Sequence, residues 1–219
     1  MSKSNNAAIV QSVQSAILSH FDTIIAECNA SKAHAKTAHK FAVERKNYEN
    51  LQFIAAFVDK LALKDASLFD FMLHVEQTNK RIAIYAMQKV TRLLRAIAVH
   101  NYRIEGIVDK YTRAILANIA RGENALSNYD ARASLCSDLK VSDATRYTVR
   151  LHCADSTAST QRSTSSIALH ALKLARYDRE AKLLTIDKSL ENYKHLKRLL
   201  ECFRSHDDIK RALAEETAS

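Results

Sequence analysis

Apolar residues recur at helical spacing along most of the chain, and the first such run lies between Asn6 and Asn29. Polar Ser and Gln residues occupy the opposite face of this run, which therefore predicts an amphipathic helix. The next stretch, 32–63, begins polar and alanine-rich and ends strongly apolar, so it predicts a second helix with an exposed N-terminal half and a buried C-terminal half. The apolar stripe of the first helix consists of Ile9, Val13, Ile17, Ile24 and Cys28.

A third periodic run predicts a long helix. Ser67 and Asp70 have the spacing of a capping box, with Asp in place of the preferred Glu, so we expect a helix to start there. The apolar stripe that follows drifts slowly around a helix of 3.6 residues per turn, which predicts one long helix, or two nearly collinear ones, reaching Ala120. Gly106 is expected to kink this helix and Gly122 to cap its C-terminus.

Polar signals mark further helix starts in the second half of the chain. Ser127 and Ser205 each precede an Asp by three residues, which repeats the capping-box spacing. Ser142 is expected to cap a short helix over 144–153. The segment 154–166 is rich in Ser and Thr and has no apolar period, so it predicts a linker.

The C-terminal part of the chain carries a partial heptad seam. Apolar residues beyond Ile167 lie near a 3-4 spacing, and Arg176 and Arg179 interrupt it. The seam predicts a helix or helical hairpin that packs on the N-terminal bundle or pairs with another copy of the chain. The predicted helix–helix interface consists of Leu183, Ile186, Leu190, Tyr193, Leu200 and Phe203.

Composition favours an all-α fold, which we expect to be an elongated multi-helix bundle. Average usage would give a chain of this length about 11 prolines and about 15 glycines, whereas this one has no Pro and 2 Gly. Because neither Asn-Gly nor Asp-Gly occurs, the turns of a many-stranded β-sandwich or barrel are lacking. The predicted organisation is an N-terminal helical bundle over 1–125, short helices over 126–153, the linker over 154–166 and a C-terminal helical segment over 167–219.

The sequence predicts a cytoplasmic chain without a membrane segment. Its first residues lack the apolar core of a signal peptide, and no run approaches the ~18 apolar residues that cross a bilayer. The cysteines are far apart and form no C-x-x-C pair, so we interpret them as reduced packing residues.

Positive charge is concentrated in one predicted helix. The net charge is +9, and residues 76–125 hold nine Lys and Arg against four Asp and Glu. Between 77 and 104 there is no acidic residue. Helical spacing places the basic residues and one tyrosine on one face and the apolar residues opposite. The predicted cationic face consists of Lys80, Arg81, Tyr85, Lys89, Arg92, Arg95 and Arg103.

The cationic face has three interpretations. It fits an acidic protein surface, and it fits nucleic acid, with guanidinium forks on phosphate oxygens and Tyr85 or Tyr102 available for stacking. It also fits a solvated face of an amphipathic helix. A helix-turn-helix with 145–153 as its first helix and 165–176 as its recognition helix is disfavoured, because the polar gap of about 13 residues exceeds the usual turn of three or four.

No motif for catalysis or metal binding is present in the sequence. His34 and His39 lie about 140° apart on a helix, and no H-E-x-x-H, G-x-S-x-G or phosphate-binding glycine loop occurs. We therefore expect a non-enzymatic protein without cofactor or metal. The composition resembles that of viral, phage and plasmid accessory proteins, so the first hypothesis is a helical assembly or scaffold protein that engages an acidic partner or itself. The alternative is a basic protein that contacts nucleic-acid phosphates.

Overall fold

The structure, a computed structural model, describes residues 3–61, 79–120, 125–140, 150–178 and 180–203. Helices dominate these residues, which confirms the predicted all-α, multi-helix fold. The chain divides into two compact units, Met1–Asn101 and Tyr102–Ser219, here called unit 1 and unit 2. This division falls at residue 101, whereas the N-terminal bundle predicted from the sequence extends to residue 125.

Unit 1 is built from four α-helices within its described residues. Helix α1 spans Lys3–Asn29, α2 spans Ala35–Arg45, α3 spans Leu51–Leu61 and α4 spans Lys80–Ala98. Short 3-10 turns lie at Lys32–His34 and Lys46–Glu49. Helices α2 and α3 pack on α1, and α4 packs on both α2 and α3.

The single helix predicted over 32–63 is wrong, because the chain breaks at Asn50. The backbone of Asn50 is extended, and its side-chain oxygen accepts hydrogen bonds from the amides of Gln52 and Phe53 at 2.9 and 3.1 Å. This is the geometry of an N-cap, and it starts α3 as a separate helix. The apolar half predicted to be buried is still buried, through Phe53, Phe57 and their neighbours.

Aromatic residues form the centre of unit 1. The ring of Tyr48 lies 5.4 Å from that of Phe21 and 5.9 Å from that of Phe53, measured between ring centroids. Its hydroxyl is hydrogen-bonded to the hydroxyl of Thr91 on α4 at 2.8 Å. Burial raises the pKa of Tyr48, so the phenol stays neutral. One polar pair thus joins α4 to the apolar core without an unsatisfied hydroxyl.

The long helix predicted to reach Ala120 ends at Ala98. Lys60 donates a hydrogen bond to the carbonyl oxygen of Ile97 at 2.9 Å, close to the C-terminus of α4. Asn101 and Tyr102 then adopt left-handed φ values of 46° and 70°, which a helix does not allow. Gly106, with φ of 66°, lies in this non-helical connection rather than at a kink. The predictions at 67–70 and Gly122 lie outside the described residues.

Unit 2 combines helices with a small antiparallel sheet. The helices are α5 (Lys110–Ala120), α6 (Asn128–Leu135), α7 (Asp155–Ala171) and α8 (Tyr193–Leu200), followed by a 3-10 turn at Glu201–Phe203. The strands are β1 (Ala125–Ser127), β2 (Arg176–Asp178) and β3 (Leu183–Thr185). The sheet order is β1-β3-β2, with Leu184 of β3 opposite Leu126 and Tyr177.

The helix start predicted at Ser127 is confirmed. The Ser127 oxygen accepts a hydrogen bond from the amide of Asp130 at 3.0 Å, and its hydroxyl donates to the Asp130 carboxylate at 2.5 Å. The starts predicted at Ser142 and Ser205 lie outside the described residues. Residues 150–153, which were predicted to end a short helix, are not helical.

The linker predicted over 154–166 is wrong, because all but its first residue belong to α7. Its hydroxyl groups stay inside the helix by donating to carbonyl oxygens one turn earlier. Thr160 bonds to the Ser156 carbonyl, Ser163 to that of Ser159 and Thr164 to that of Thr160, at 3.0 to 3.1 Å. Polar residues without an apolar period therefore still form a packed helix.

The helix–helix seam predicted between Leu183 and Phe203 is wrong. Leu183 lies in β3, while Ile186 and Leu190 lie in the connection from β3 to α8. The hairpin forms without Gly because the carboxylate of Asp178 accepts the amides of Glu180 and Ala181, at 2.8 and 2.9 Å. The remaining predicted residues, Tyr193, Leu200 and Phe203, belong to α8 and the 3-10 turn after it.

Candidate functional site

The predicted cationic face is only partly retained on α4. Arg81, Arg92 and Arg95 are exposed, and Tyr85 is half-buried beside them. Lys89 is 4% exposed and therefore does not belong to a solvent face, because α4 packs on neighbouring helices along that edge. Lys80 and Arg103 also fall outside the face, as follows.

Lys80 forms an ion pair across to α1, with its ammonium 2.6 Å from the carboxylate of Glu27. Arg103 is exposed but lies beyond the end of α4, in unit 2, so it does not share a helix with the other six residues. The acid-free run in the sequence thus crosses the boundary between the two units, which periodicity alone does not reveal.

Helix α2 contributes cations that the sequence analysis did not include. The ammonium of Lys40 donates to the hydroxyl of Tyr85 at 3.1 Å and lies 4.7 Å from the centre of its ring. Further toward the C-terminus of both segments, the guanidinium of Arg95 donates to the side-chain oxygen of Asn47 at 2.7 Å. Since later residues of one segment meet later residues of the other, α2 and α4 run parallel along this surface.

We define the basic face as six exposed or half-buried cations along this pair of helices; it leaves out Arg45 and Lys80, which are paired with carboxylates, and Lys46, which lies in the 3-10 turn after α2. Residues 32–49 hold five Lys and Arg and two Glu, and residues 80–98 hold five Lys and Arg and no acid, which gives ten basic side chains against two acidic ones. The basic face consists of Lys32, Lys36, Lys40, Arg81, Arg92 and Arg95.

The two acidic residues of these segments do not interrupt the basic face. Glu44 is buried, at 7% exposure. Glu49 lies 2.5 Å from the guanidinium of Arg45, which also binds Asp22 of α1 at 2.8 Å. The hydrogen bond to Asp22 raises the pKa of Arg45, with Glu49 adding to it. Glu44 is therefore removed from the surface by burial, and Glu49 is matched by a cation.

A second surface lies in unit 2, where α6 is followed by α7. The amide of Leu151 donates to the carbonyl of Ser134 at 2.9 Å, and the amide of Ser137 donates to the carbonyl of Leu151 at 2.8 Å. Arg150 donates to the carbonyls of Cys136 and Leu139 at 2.9 and 2.6 Å. The chain thus returns to the C-terminal end of α6, and only residues 151–154 separate that point from α7.

Helix α7 has a buried side and a polar outer side. Ala158 and Leu169 are fully buried, and the hydroxyl of Ser165 is hydrogen-bonded to that of Thr112 on α5 at 3.0 Å. Over residues 156–163 the opposite side, about 100° to 160° around the helix from Ala158, is exposed or half-buried. We call it the α7 face, and it consists of Ser156, Ser159, Thr160 and Ser163. Arg162 is half-buried about 40° from Ala158, with its Nε buried and without a hydrogen-bond partner, and it reaches the α7 face where its guanidinium donates to the Ser163 oxygen at 2.9 Å.

The hairpin of β2 and β3 is fixed to both helices. The ring nitrogen Nδ1 of His170, near the end of α7, accepts the amide of Tyr177 at 3.1 Å. The Tyr177 hydroxyl donates to Asn128 of α6 at 3.2 Å, and the amide of Asn128 donates to the carbonyl of Lys182 at 2.9 Å. Lys182 is exposed where the hairpin turns into β3.

The α7 face carries no negative charge of its own. Residues 156–171 contain no Asp or Glu. Asp155, the first residue of α7, is bound by the guanidinium of Arg132 through two hydrogen bonds. The hydrogen bond to Asp155 raises the pKa of Arg132, so this guanidinium stays charged. The face thus presents hydroxyl groups and one guanidinium.

The described residues provide neither a cluster of metal ligands nor a helix that could span a membrane. Among the described residues, no group of three or more His, Cys, Asp and Glu side chains is placed to hold a metal ion. In the same part of the chain, no helix is long and apolar enough to cross a membrane.

Comparison with known proteins gives no relative. No protein family, curated protein or solved structure matches this chain at a significant level. Function is therefore inferred from the basic face and the α7 face themselves.

Part of the basic face and part of the α7 face could have been predicted from the sequence. Lys32, Lys36 and Lys40 recur every four residues, which places them on one side of a helix. The α7 face had a weaker signal, because Ser and Thr are more typical of loops. The recognition helix considered over 165–176 overlaps the C-terminal, buried half of α7 and the residues after it.

Proposed function

We propose that this chain is a non-enzymatic DNA-binding protein in which α6 and α7 act as a helix-turn-helix pair. In that arrangement a turn of three or four residues joins two helices, and the second helix enters the major groove. The observation that carries the proposal is the return of the chain to α6 at Leu151, which leaves residues 151–154 as the turn. The hairpin of β2 and β3 then follows α7 and anchors its C-terminal end.

The proposal revises the helix-turn-helix considered from the sequence. The polar gap that disfavoured it is not a gap, because residues 155–166 are the N-terminal part of the second helix. The first helix of the pair is α6, at Asn128–Leu135, instead of the segment 145–153. The extra residues between α6 and Leu151 form an excursion whose two ends are hydrogen-bonded together.

The chemistry of the α7 face supports DNA over a protein partner. Protein interfaces are built around buried apolar and aromatic side chains, with few charges at their centre. The α7 face has none of these and offers Ser and Thr hydroxyls with the guanidinium of Arg162. These groups are suited to base edges and phosphates, and a helix fits the major groove, which is about 12 Å wide.

A helical assembly protein that engages an acidic partner is the second candidate. The basic face favours it, whereas the apolar seam that also supported it is a strand and a connection rather than a helix. If this candidate is correct, the purified protein should form oligomers or co-assemble with an acidic protein. A chain that stays monomeric at high concentration and binds no acidic protein would remove it, and with it the scaffold hypothesis.

Selection of duplexes from a random library by the full-length protein tests the proposed function. We expect an enriched sequence that binds at least about tenfold more tightly than a scrambled duplex at the same salt concentration. Arg162→Ala and Thr160→Ala should each reduce this ratio, because a lost base contact costs about 1–3 kcal/mol.

Lys188→Ala, at an exposed residue outside α7, is the matched control and should leave the ratio unchanged. Circular dichroism should show equal helix content for all variants, since Ala is compatible with a helix at both α7 positions. Absence of any enriched sequence, or equal discrimination by wild type and both α7 variants, would remove α7 as the recognition helix.

A further inference from the structure

The basic face of unit 1 lies in a different compact unit from α7, and the proposed function makes no use of it. Ten basic and two acidic side chains in residues 32–49 and 80–98 give a net charge of +8, against +9 for the whole chain. Both acidic residues lie away from the exposed row, because Glu44 is buried and Glu49 is bound to Arg45. Six of these ten basic side chains form the basic face, whereas Lys89 is buried and Lys80 and Arg45 are paired with carboxylates.

One cation of the basic face is already bound to an oxygen atom on the neighbouring helix. The Tyr85 hydroxyl accepts a hydrogen bond from Lys40 at 3.1 Å, and the Lys40 ammonium lies 4.7 Å from the centre of the Tyr85 ring. The bond from Lys40 lowers the pKa of Tyr85, and Arg81 adds to this shift. A cation from α2 is therefore held beside an oxygen of α4 at this surface, as it would be beside a phosphate oxygen.

The spacing of the cations follows the axis of the parallel helices. Lys36 and Lys40 are four residues apart, which is about 6 Å along α2, and Lys32 precedes them in the 3-10 turn at the start of this helix. Each strand of duplex DNA carries a charge about every 3.4 Å of its axis, so such a row can meet successive or alternate phosphates. Binding of this electrostatic kind requires only that cations recur along the duplex, and each cation need not match one particular phosphate.

The basic face lacks the centre of a protein interface. Of the large hydrophobic residues on α2 and α4, Val43 is the strongly exposed one, at 50%. A specific protein contact would be expected to bury several apolar or aromatic side chains at its centre. A face of long cations around one half-buried tyrosine matches a sugar-phosphate backbone more closely, since backbone contacts use Lys and Arg without apolar support.

We propose that the basic face is a second DNA-contacting surface, which binds the sugar-phosphate backbone independently of sequence while α7 reads base edges. This inference rests on the proposed function, in that duplex DNA is the ligand of both surfaces. The phosphates are held by Lys36, Lys40, Arg81 and Arg92, and Tyr85 holds Lys40 in place before DNA binds.

The test compares three full-length variants on one duplex over a range of salt concentrations. The face variant carries Lys36→Gln, Arg81→Gln and Arg92→Gln, which removes three exposed charges and leaves the Arg95 contact to Asn47 intact. The control carries Lys188→Gln, Lys194→Gln and Lys197→Gln, an equal loss of exposed charge in unit 2. The third variant is Arg162→Ala. Polyglutamate serves as an acidic polypeptide probe.

We expect the slope of log K against log salt to fall by about 0.9 for each lost phosphate contact, so by up to about 2.7 for the face variant. Its preference for the selected over the scrambled duplex should stay the same, and the control should keep the wild-type slope. Arg162→Ala should lose preference and keep most of the slope.

Three other outcomes separate the basic face, the α7 face and an acidic protein partner. A face variant with the wild-type slope overturns the inference, even where Arg162→Ala loses preference and so supports α7. A face variant with a reduced slope, together with an Arg162→Ala variant indistinguishable from wild type, overturns the role of α7 and supports the basic face. Binding of polyglutamate that the face substitutions abolish, with DNA binding unchanged, overturns the inference in favour of an acidic protein partner.

Discussion

The amide of Leu151 and the carbonyl oxygen of Ser134 are 2.9 Å apart, although 17 residues separate them in the chain. This hydrogen bond brings the start of α7 back to the end of α6. The connection between the two helices is long in sequence, but the part that joins them in space is only residues 151–154. Arg150 lies at the same point and is bonded to the backbone of residues 133, 136 and 139.

Arg150→Ala should therefore destabilise unit 2. The substitution removes hydrogen bonds to three carbonyl oxygens at the end of α6, and an unsatisfied buried acceptor costs about 1–3 kcal/mol. We expect a loss of about 2 kcal/mol in the free energy of unfolding, measured by chemical denaturation with far-UV circular dichroism. Lys140→Ala, at an exposed position nearby, should change it by less than about 0.5 kcal/mol. Equal stability of the two variants would contradict the role given to Arg150.

Ser127→Ala should weaken α6. The serine accepts the amide of Asp130 and donates to its carboxylate, and loss of such a cap costs about 1 kcal/mol. The measurement is again the free energy of unfolding. Ser127→Thr should recover much of the loss, because the Thr hydroxyl can also accept the amide of Asp130 and donate to its carboxylate. A stability for the Thr variant as low as that of the Ala variant would speak against capping as the cause.

Tyr48→Phe should destabilise unit 1 by about 1 kcal/mol. The substitution keeps the aromatic ring in its cluster and removes the hydrogen bond to the Thr91 hydroxyl. Thr91 still donates to the carbonyl of Met87, at 3.2 Å, so its hydroxyl keeps one partner. Tyr48→Ala should cost more, about 3–5 kcal/mol, through the cavity that it leaves. If Phe and Ala were equally destabilising, the ring packing would have been overestimated.

The acid stability of unit 2 should depend on Asp187. Hydrogen bonds from the Ser189 hydroxyl and amide lower the pKa of this carboxyl, and Arg176 at 2.8 Å adds to the shift. Because the folded pKa lies below the unfolded one, the contribution to stability is complete above the unfolded value of 3.8 and is lost as the pH falls through the folded pKa.

Ser189→Ala is the matching change for this prediction. It removes the hydroxyl bond, so the pKa of Asp187 measured by NMR titration should move upward toward its ordinary value. Stability near neutral pH should decrease, while wild type and variant should converge at the lowest pH, where both carboxyls are protonated. A pKa for Asp187 that Ser189→Ala does not alter would show that another group controls it.

The sequence was sufficient for the helices and insufficient for the connections. Val13, Ile17 and Ile24 form the buried stripe that periodicity predicts, and Ser127 caps α6 as its spacing predicts. The break at Asn50 was missed because flanking residues on both sides continue a helical pattern. Only the hydrogen bonds to its side chain distinguish a cap from a helix interior.

The errors in unit 2 have a common physical origin. Local pattern assigns Ser and Thr to loops, but in α7 the buried hydroxyls of Thr164 and Ser165 find partners one turn away and on α5. Local pattern also assigns the leucines after residue 182 to a helix, whereas the Asp178 side chain closes a turn that Gly would normally form. In both cases a side-chain hydrogen bond overrides propensity.

Within the cationic face, the sequence identified the exposed Arg81, Arg92 and Arg95 and the adjacent Tyr85. It wrongly included Lys89, which is buried, and Arg103, which follows the end of the helix. The partner helix α2 was missed because a helical wheel describes one helix at a time. Which two helices lie side by side is decided by the packing of the whole unit.

The hydroxyl groups of the α7 face have a direction. Thr160 donates its single hydrogen to a backbone carbonyl of the helix, so what it presents outward is lone pairs. Ser163 also donates its hydrogen to a carbonyl, but its oxygen accepts a bond from the Arg162 guanidinium, so these two side chains act together and present the remaining guanidinium hydrogens. In a major groove lone pairs meet the amino groups of adenine and cytosine, and guanidinium hydrogens meet the acceptors of guanine. A sequence bound by this helix should therefore place an exposed amino group opposite Thr160 and a guanine within reach of the Arg162–Ser163 pair.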